Sequence, residues 1–390
     1  MDTKHSNIFD SHLLIMTIII LCVTAVGWGS KIAIAQSAPR NGKTALVLPA
    51  HVLQTGLPSI VSANVMHKVD QQIQTPYKYG IILKPDKGEQ LVDCPRVYRI
   101  GGKWYMLYVS FDNSGYETQL AESTNLLQWK HLGTVLPFQH HGWDKWQDDG
   151  SIALSNPVWG GSYMPEKFDG KYWMSFAGGY RKGYETPPFS IGMAWTKHPT
   201  EALPWHPIAG NPVLSPTDPG SRHFEKNTLY KSTIIRVSPR ILGYPFVMYY
   251  NACQNGPHIE RIGMAVSKDM IHWIRFGTGP VIDNHRGISG DPQIVKMGKL
   301  WVMFYFGAFW SPKYYRYPGE AFNTFACSYD LVHWTKWNGK PIMMSSMPWD
   351  NTYAHKPWLI EHKGVVYQFY CAVGNQGRCI AVATSKDFSH

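Results

Sequence analysis

Ionisable side chains stand beside prolines at three widely separated places in the sequence. They are Asp93 in "DCPRV", Asp291 in "GDPQI" and His355 in "HKPWL". Carboxylates and imidazoles are among the side chains that most often donate and accept protons in catalysis. If the fold brings these three positions together, they form a candidate acid–base site.

Three cations stand close to the same kind of position. Arg96 and Lys356 adjoin two of these prolines, and Lys231 begins a further strand-like run, "KSTIIRV". Ammonium and guanidinium groups bind carboxylate and phosphate. We therefore predict that Arg96, Lys231 and Lys356 bind substrate.

The elements that must position these residues are indicated by a repeated phrase. It reads "STNLLQW" at 123–129, "SKDMIHW" at 267–273 and "SYDLVHW" at 328–334, and a truncated copy, "SKDF", begins at Ser385. Each complete phrase lies between two strand-like runs, which predicts a turn between the third and fourth strands of a repeated unit. Its tryptophan is predicted to pack between neighbouring units.

Longer units surround the phrase, and their spacing predicts the fold. The units start at residues 93, 163, 231, 290 and 355, so that successive starts are 70, 68, 59 and 65 residues apart. Four-stranded units at such a period are typical of β-propellers. The predicted fold class is all-β, a five-bladed β-propeller with four-stranded antiparallel blades. The fifth unit stops before its fourth strand, so the segment 77–89 is predicted to supply that strand and close the ring.

The propeller is predicted to occupy residues 77–390, after a signal peptide over 1–35 and an N-terminal extension over 36–76. The apolar run "LLIMTIIILCVTAV" is short for a membrane span, and the small residues that end at Ala35 fit a signal-peptidase site. We expect export to the periplasm or the medium, with no stable membrane insertion after cleavage. An uncleaved anchor is the alternative, because the positive charge before the apolar run is weak.

Three features together resemble the five-bladed propeller glycosidases. They are the first strands that begin with an acidic residue and a proline, the second strand "GKWYM" and the tryptophan turns. These glycosidases include glycoside hydrolase families 43, 32, 117 and 130, and the resemblance covers about residues 77–390. It implies an enzyme that cleaves glycosidic bonds in a poly- or oligosaccharide. His355 is similar to a histidine implicated as the acid in the family that acts on neoagaro-oligosaccharides. The sequence departs from the pattern at Cys94, which separates Asp93 from its proline.

Glycoside hydrolysis usually needs two carboxyl groups across the scissile bond. We predict that Asp93 activates water as the general base and that His355 protonates the leaving oxygen as the general acid. Asp291 would orient His355 and raise its pKa through its negative charge. A gap of roughly 6–9 Å between Asp93 and the acid would give inversion. Glu225 and Glu166 are the alternative acids.

Loops that join second to third strands should surround the same site. They read "FDNSGYET", "GGYRKGYETPPF", "ACQNGPHIER" and "GAFWSPKYYRYPGE", and two of them are basic as well as aromatic. Aromatic rings offer faces for sugars, and cations suit carboxylate or sulfate. Arg181 and Trp310 are therefore predicted to bind substrate, with an acidic glycan favoured. Ordinary exposed loops are the alternative interpretation.

Three other functions stay open at this point. A glycoside phosphorylase would use phosphate in place of water, with Arg96, Lys231, His355 and Lys356 as its cations. A polysaccharide lyase would use a His or Tyr base on a uronate. A non-catalytic propeller would only bind a glycan.

Charge and cysteine content limit the partners. The formal net charge is +10, but the chain has no Lys/Arg run of the nucleic-acid type, so we expect no nucleic-acid partner. No cofactor is expected, apart from a structural Ca²⁺ that the loop 140–151 could hold through oxygen ligands, with a solvated turn as the alternative. Cys371 and Cys379 could pair across a turn or remain free thiols.

Overall fold

Strands follow one another along the chain because short aromatic and β-branched runs alternate with turns that contain glycine and proline. The computed structural model describes residues 47–54, 56–309 and 321–388. Its helix and strands are β1 (Val47–Leu48), α1 (Ala63–Gln72), β2 (Tyr77–Leu83), β3 (Leu91–Ile100), β4 (Lys103–Phe111), β5 (Tyr116–Ser123), β6 (Lys130–Leu136), β7 (Gln147–Ile152), β8 (Tyr172–Gly179), β9 (Phe189–Thr196), β10 (His206–Pro207), β11 (Thr228–Arg236), β12 (Phe246–Cys253), β13 (Glu260–Ser267), β14 (Trp273–Phe276), β15 (Ile288–Met297), β16 (Leu300–Ala308), β17 (Ala321–Ser328), β18 (Thr335–Lys336), β19 (Met343–Met344), β20 (Tyr353–His362), β21 (Val365–Gly374) and β22 (Gly377–Thr384).

These strands form antiparallel units that follow the chain. The units are β3–β6, β7–β10, β11–β14, β15–β19, and β20–β22 with β2. The first two are joined into one sheet by a single parallel pair, Tyr116 with Gln147. The first strand of every unit contacts the first strand of the next, and β20 of the last unit contacts β3 of the first. The predicted all-β class with antiparallel sheets is therefore confirmed.

The N-terminal segment is built into this architecture. Strand β2 pairs antiparallel with β22, from Tyr77 opposite Thr384 to Leu83 opposite Ile380, as the segment 77–89 was predicted to do. Helix α1 also joins the core, because its apolar side chains Met66 and Val69 pack with residues of β15 to β17. From Val47 onwards the described residues form one compact unit, which includes the described part of the segment 36–76. None of the helices in the described ranges is long and apolar enough to cross a membrane.

The repeated phrase forms the predicted turn, and each of its residue types has a physical reason. In the second copy, Ser267 Oγ accepts hydrogen bonds from the backbone N–H groups of Asp269 and Met270. Asp269 Oδ1 accepts from two further N–H groups, and Met270 adopts a left-handed φ of 67°. The Trp273 indole donates to the Met270 carbonyl at 3.1 Å. The serine and aspartate side chains, which accept hydrogen bonds, and the tryptophan indole, which donates one, therefore stabilise a single tight turn.

The tryptophans of the phrase pack between units, as predicted. Trp129 of the first unit lies 5.8 Å from Phe369 of the last, centroid to centroid. Trp334 of the fourth unit lies 5.7 Å from Tyr249 of the third. Trp273 is part of a buried cluster that also contains Trp173 of the second unit. These rings fill the space between sheets and hold neighbouring units together.

The predicted start of the second unit at residue 163 is wrong. Its first strand is β7 (Gln147–Ile152), which lies within the segment that was predicted to be a charged loop. "QDDGSI" resembles a loop because aspartate and glycine are rare in strands. Burial of all six residues in this strand overrides that preference.

Three first strands carry the same backbone irregularity beside their prolines. The strand register shifts after Asp93, Gly290 and His355, which marks a β-bulge in each strand. The next residue, Cys94, Asp291 or Lys356, has a positive φ between 52° and 56°. Asp291 and Lys356 are thus equivalent bulge residues, whereas Asp93 is equivalent to His355. The bulges determine which side chains turn towards one another at this end of the strands.

Candidate active site

The strand-start residues do come together, but mainly as ion pairs with one another. Lys356 Nζ donates to Asp93 Oδ2 at 2.7 Å, and an Arg96 guanidinium nitrogen lies 3.2 Å from Asp291 Oδ2. Lys231 pairs with Asp149, a residue of β7 that the prediction placed in a calcium loop. Each pair links the first strands of two units. We call these three contacts, Asp93–Lys356, Arg96–Asp291 and Asp149–Lys231, the axial ion pairs.

Asp93 is the most heavily bonded of these carboxylates. Oδ2 also accepts from Arg378 Nη1 at 2.8 Å, and Oδ1 accepts from the Cys94 backbone N–H. Burial favours the neutral carboxyl, but the charges of Lys356 and Arg378 hold the pKa of Asp93 well below its usual value. A fully buried carboxylate with such a low pKa is a weak base. Its geometry is that of an anchor for two cations, which differs from the role predicted for Asp93.

His355 faces Arg378 instead of Asp291. Its Nδ1 lies 3.3 Å from the Cys371 carbonyl, and its Nε2 lies 3.4 Å from Arg378 Nη1. Burial, and then the charge of Arg378, lowers the pKa of His355 well below its usual value. A neutral imidazole that accepts from a guanidinium has no proton to give from Nε2. The expectation that Asp291 orients His355 and raises its pKa is therefore wrong, because Asp291 is turned towards Arg96.

A pocket of about 270 Å³ opens above this group. Its ionisable lining consists of His355, Lys356, Arg378 and Glu185. Apolar and aromatic side chains complete it, namely Tyr184, Ile288, Phe306, Ala308, Ala321 and Tyr353. A small concave site with few polar groups and several apolar ones is typical of a ligand pocket.

Glu185 is the accessible carboxylate of this pocket. Its Oε1 accepts from Lys356 Nζ at 3.1 Å and from the Tyr116 hydroxyl at 3.3 Å. Its side chain is 35% exposed, and its second oxygen accepts no hydrogen bond from any described residue. Glu185 also has a φ of 41°, and strained residues of this kind cluster at functional sites. One oxygen is thus held in place while the other is available to a ligand.

Glu260, at the start of β13, is a second carboxyl group with the opposite environment. It is buried, with Oε2 accepting from Asn251 at 2.9 Å and Oε1 lying 2.7 Å from His258 Nε2. Burial raises the pKa of Glu260, and the negative charge of Glu185 adds to the effect. Its backbone N–H donates to Gly287, the residue before the pocket residue Ile288. Glu185 therefore lines the pocket with one oxygen held by Lys356 and Tyr116. Glu260 is a buried carboxyl group with a raised pKa, and its backbone adjoins the pocket segment at Ile288.

Two predicted carboxyl groups lie elsewhere. Glu225 is fully buried and accepts from Arg222, Tyr250 and Arg275. Burial opposes its charge, but the two arginines lower its pKa, so it serves as a structural anion. Glu166 forms an exposed pair with Arg236, the last residue of β11. That end of β11 is opposite the end that carries Lys231, so the structure does not bring Glu166 to the pocket.

The two loop residues predicted to bind substrate have different outcomes. Arg181 is exposed in the same loop as Glu185, where its guanidinium donates to the Pro187 carbonyl at 2.8 Å. Trp310 lies outside the described residues. Glu185 and Glu260 were missed because the carboxyl groups were sought at or near the first strand of each unit, whereas Glu185 lies in a loop and Glu260 begins a third strand. Both glutamates occur in the quoted loops, in "KGYETPP" and "PHIER", each close to an aromatic residue or a histidine.

The calcium prediction finds no support in the described ranges, where no cluster of three His, Cys, Asp or Glu residues has the geometry of a metal site. Asp148 and Asp149 instead lie in the buried strand β7. Cys371 and Cys379 are both buried free thiols, which was the second of the two predicted alternatives.

Known proteins resemble this chain in sequence and in fold. A sequence model of the family described as beta-1,4-mannooligosaccharide phosphorylase matches residues 59–187. A solved complex of the protein BT0996 with RGII is 43% identical with a TM-score of 0.80, over 84% of this chain and 97% of that protein. A second solved structure, of a glycoside hydrolase, is 42% identical with a TM-score of 0.80 over the same shares. Comparison with curated proteins gave no match.

A more distant structure supports the fold alone. A thermostable family-43 glycoside hydrolase is 16% identical with a TM-score of 0.54, over 78% of this chain and 91% of that one. The fold and these likenesses define a carbohydrate-active enzyme. The chain belongs to the β-propeller glycosidase superfamily.

Proposed function

We propose that this protein is a glycoside hydrolase that removes a sugar bound in the pocket beside Arg378. Glu260 protonates the leaving oxygen, and Glu185 is the carboxylate that activates water or attacks the sugar. The observation that carries this assignment is the opposite environments of the two carboxyl groups. Burial raises the pKa of Glu260, which favours its neutral form, whereas hydrogen bonds from Lys356 and Tyr116 hold Glu185 in place in the pocket. Such a division of labour between two carboxyl groups is the requirement of glycoside hydrolysis.

The ion pair between Asp93 and Lys356, together with Arg378, holds the side chains of the pocket in position. Asp93 positions Lys356 and Arg378, and Lys356 in turn positions Glu185. Asp93 is thereby a positioning residue in place of the predicted base. The prediction of inversion stays open, and proton NMR of the first product anomer would decide it.

The charges of the pocket favour a neutral sugar. Two cations, Lys356 and Arg378, face two carboxylates, Asp93 and Glu185, and the lowered pKa of His355 keeps that side chain uncharged. The formal charge of this group is therefore zero, which leaves no excess cation for a carboxylate on the bound sugar. The volume of about 270 Å³ lies at the small end of ligand pockets and fits a terminal sugar unit.

We further propose that the units are the five blades of a propeller and that β2 closes the ring. The cyclic contacts among first strands and the pairing of β2 with β22 support this arrangement. The apolar run at 13–26 supports export, and N-terminal sequencing of the mature protein would test cleavage near Ala35.

The test compares Glu185→Gln, Glu260→Gln and Glu225→Gln on a panel of 4-nitrophenyl and alkyl glycosides. We expect Glu185→Gln to lower kcat by at least about a thousandfold on every substrate, with an unchanged melting temperature. Glu260→Gln should lower kcat most on alkyl glycosides, because a nitrophenolate leaves without protonation. Glu225→Gln, the matched control, should lower stability and activity together. Near-normal activity of Glu185→Gln would contradict the assignment.

A glycoside phosphorylase is the second candidate, because the matching family model bears that description. Such an enzyme would need cations for phosphate, and those of the pocket are already paired with carboxylates. Turnover that requires inorganic phosphate and yields a sugar phosphate would favour it over the hydrolase.

A further inference from the structure

We propose that Trp146, Lys145 and Lys182 form a second sugar-binding subsite, beside the pocket, that recognises a carboxylate-bearing sugar. We call these three residues the basic platform. The inference rests on the proposed function, since the platform would hold the part of a glycan that extends from the sugar in the pocket.

The platform combines an aromatic ring with two cations. Lys145 Nζ lies 5.5 Å and Lys182 Nζ lies 5.4 Å from the centre of the Trp146 ring. Trp146 and Lys145 are half-buried and Lys182 is exposed, so a ligand can reach all three. Phe138 and His140 place their rings edge-on to Trp146, each at 5.6 Å, and hold it in position. A fixed indole offers a flat apolar surface to a sugar ring.

The two ammonium groups have no anionic partner within the described part of the protein. In those ranges, neither Lys145 nor Lys182 forms an ion pair, and no hydrogen bond fixes either ammonium group. The carboxyl groups of Asp144 and Glu117, on neighbouring segments, are largely withdrawn from solvent, and burial raises the pKa of each. Arg181 in the same loop is occupied by the Pro187 carbonyl. The platform therefore has the excess positive charge that the pocket lacks.

The platform and the pocket are mechanically joined. Tyr116 donates its hydroxyl to Glu185 and its backbone N–H to the Trp146 carbonyl at 3.0 Å. Gln147 donates to the carbonyls of Arg181 and Gly183 and so ties the loop of Lys182 and Glu185 to β7. A ligand that spans both places would rest on one connected surface. Such a ligand would place a neutral sugar in the pocket and a uronate on the platform.

Binding to oligogalacturonate, and to the same oligomer after carboxyl reduction, tests the charge that is recognised. The wild-type protein should bind the acidic oligomer at least about tenfold more tightly by calorimetry, and salt should weaken that binding. The double variant Lys145→Gln/Lys182→Gln should lose this preference, and Trp146→Ala should weaken binding of both oligomers. Lys167→Gln/Lys171→Gln is the matched control, because these lysines also lie over aromatic rings, away from the platform, and should change nothing.

Two outcomes would overturn the proposal. One is equal wild-type affinity for the acidic and the reduced oligomer. The other is an acidic preference that survives in Lys145→Gln/Lys182→Gln. Failure of the proposed hydrolase would be seen separately, because Glu185→Gln should keep the binding preference while it loses hydrolysis. The platform variant should still hydrolyse a short aryl glycoside at the wild-type rate.

Discussion

An ionisable residue does acid–base chemistry only where its own protein leaves it a free lone pair or proton. Asp93 has its oxygens occupied by Lys356, Arg378 and a backbone N–H. Glu185 has one oxygen held and the other available to a ligand. Both residues accept a hydrogen bond from Lys356, but only Glu185 has an oxygen that a ligand can reach.

Asp148 shows how a buried carboxyl group without hydrogen-bond partners in the described part of the protein affects the stability of the fold. It is fully buried in β7, and among the described residues neither carboxyl oxygen has a hydrogen-bond partner. Burial, then the charges of Asp144 and Glu117, raises its pKa well above the usual value. The folded state thus keeps a proton that the unfolded chain releases above about pH 4. Stability must fall as the pH rises from there towards the folded pKa.

Replacing Asp148 by Asn should remove this dependence. We expect Asp148→Asn to melt at about the wild-type temperature at pH 4 and above it at pH 7.5. The exposed Asp169→Asn is the control and should follow the wild type at both values. Calorimetric melting from pH 4 to 8 measures the difference, and parallel curves for Asp148→Asn and wild type would contradict the argument.

The residue types and the prolines predicted which ends of the first strands meet, but they did not indicate Glu185 and Glu260, the two carboxyl groups proposed for catalysis. Asp93, Asp291, His355 and Lys356 do meet, because equivalent strand starts converge in a repeated fold. Their pairing could not be predicted, since the bulge after Asp93 and His355 decides which way each side chain turns. Glu185 and Glu260 lie in or beside loops, where no periodic pattern shows which residues face the site.

At the scale of elements, strand β2, which pairs with β22, is held in place by a buried ion pair. Lys78 Nζ donates to Asp350 Oδ2 and, at 2.7 Å, to the Met344 carbonyl. Tyr370 donates to the same Asp350 oxygen at 2.8 Å. The Lys78 side chain is 9% exposed and that of Asp350 is fully buried. This contact ties β2 to the last two units.

Removing only the cation should be costly. Lys78→Met leaves Asp350 buried without its counter-charge, which we expect to lower the free energy of unfolding by about 3–5 kcal/mol. The double variant Lys78→Met/Asp350→Asn should recover part of that loss, because the uncompensated charge is gone. Glu166→Gln, which breaks an exposed pair with Arg236, should change stability by less than about 1 kcal/mol. Urea unfolding measures all three, and a double variant less stable than Lys78→Met would contradict the role of charge.

Elements with a repeated sequence were predictable, and those without one were not. The three tryptophan turns share a serine, an acceptor and an indole, and these groups make the turn by local hydrogen bonds. Strand β7 has no such local signature, since "QDDGSI" disfavours a strand and becomes one only between β5 and β8. Strand β7 forms because it is buried between neighbouring strands, so local sequence preference alone could not predict it.

At the scale of the whole molecule, the N-terminal segment adds a strand to the last unit and a helix to the fourth. Tyr77, Lys78 and Ile81 pair with β22, and α1 covers β15 to β17. Without this segment, β22 would present a free edge of N–H and C=O groups, and the apolar cluster beneath α1 would face water. Free edges promote aggregation, and a large exposed apolar patch has the same effect.

Two truncations separate the contribution of this segment from that of the residues before it. A variant that begins at residue 45 retains β1, α1 and β2, and we expect it to be soluble with one cooperative melting transition. A variant without residues 36–90 loses all three, and we expect it to aggregate or to melt about 5 °C lower or more, since a deficit of several kcal/mol shifts the midpoint by about 1–2 °C per kcal/mol in a protein larger than 250 residues. Light scattering and calorimetry on both variants measure these effects. A soluble 36–90 deletion with wild-type cooperativity would show that the units hold together without β2, and the proposed closure would then fail even if the pocket remained active.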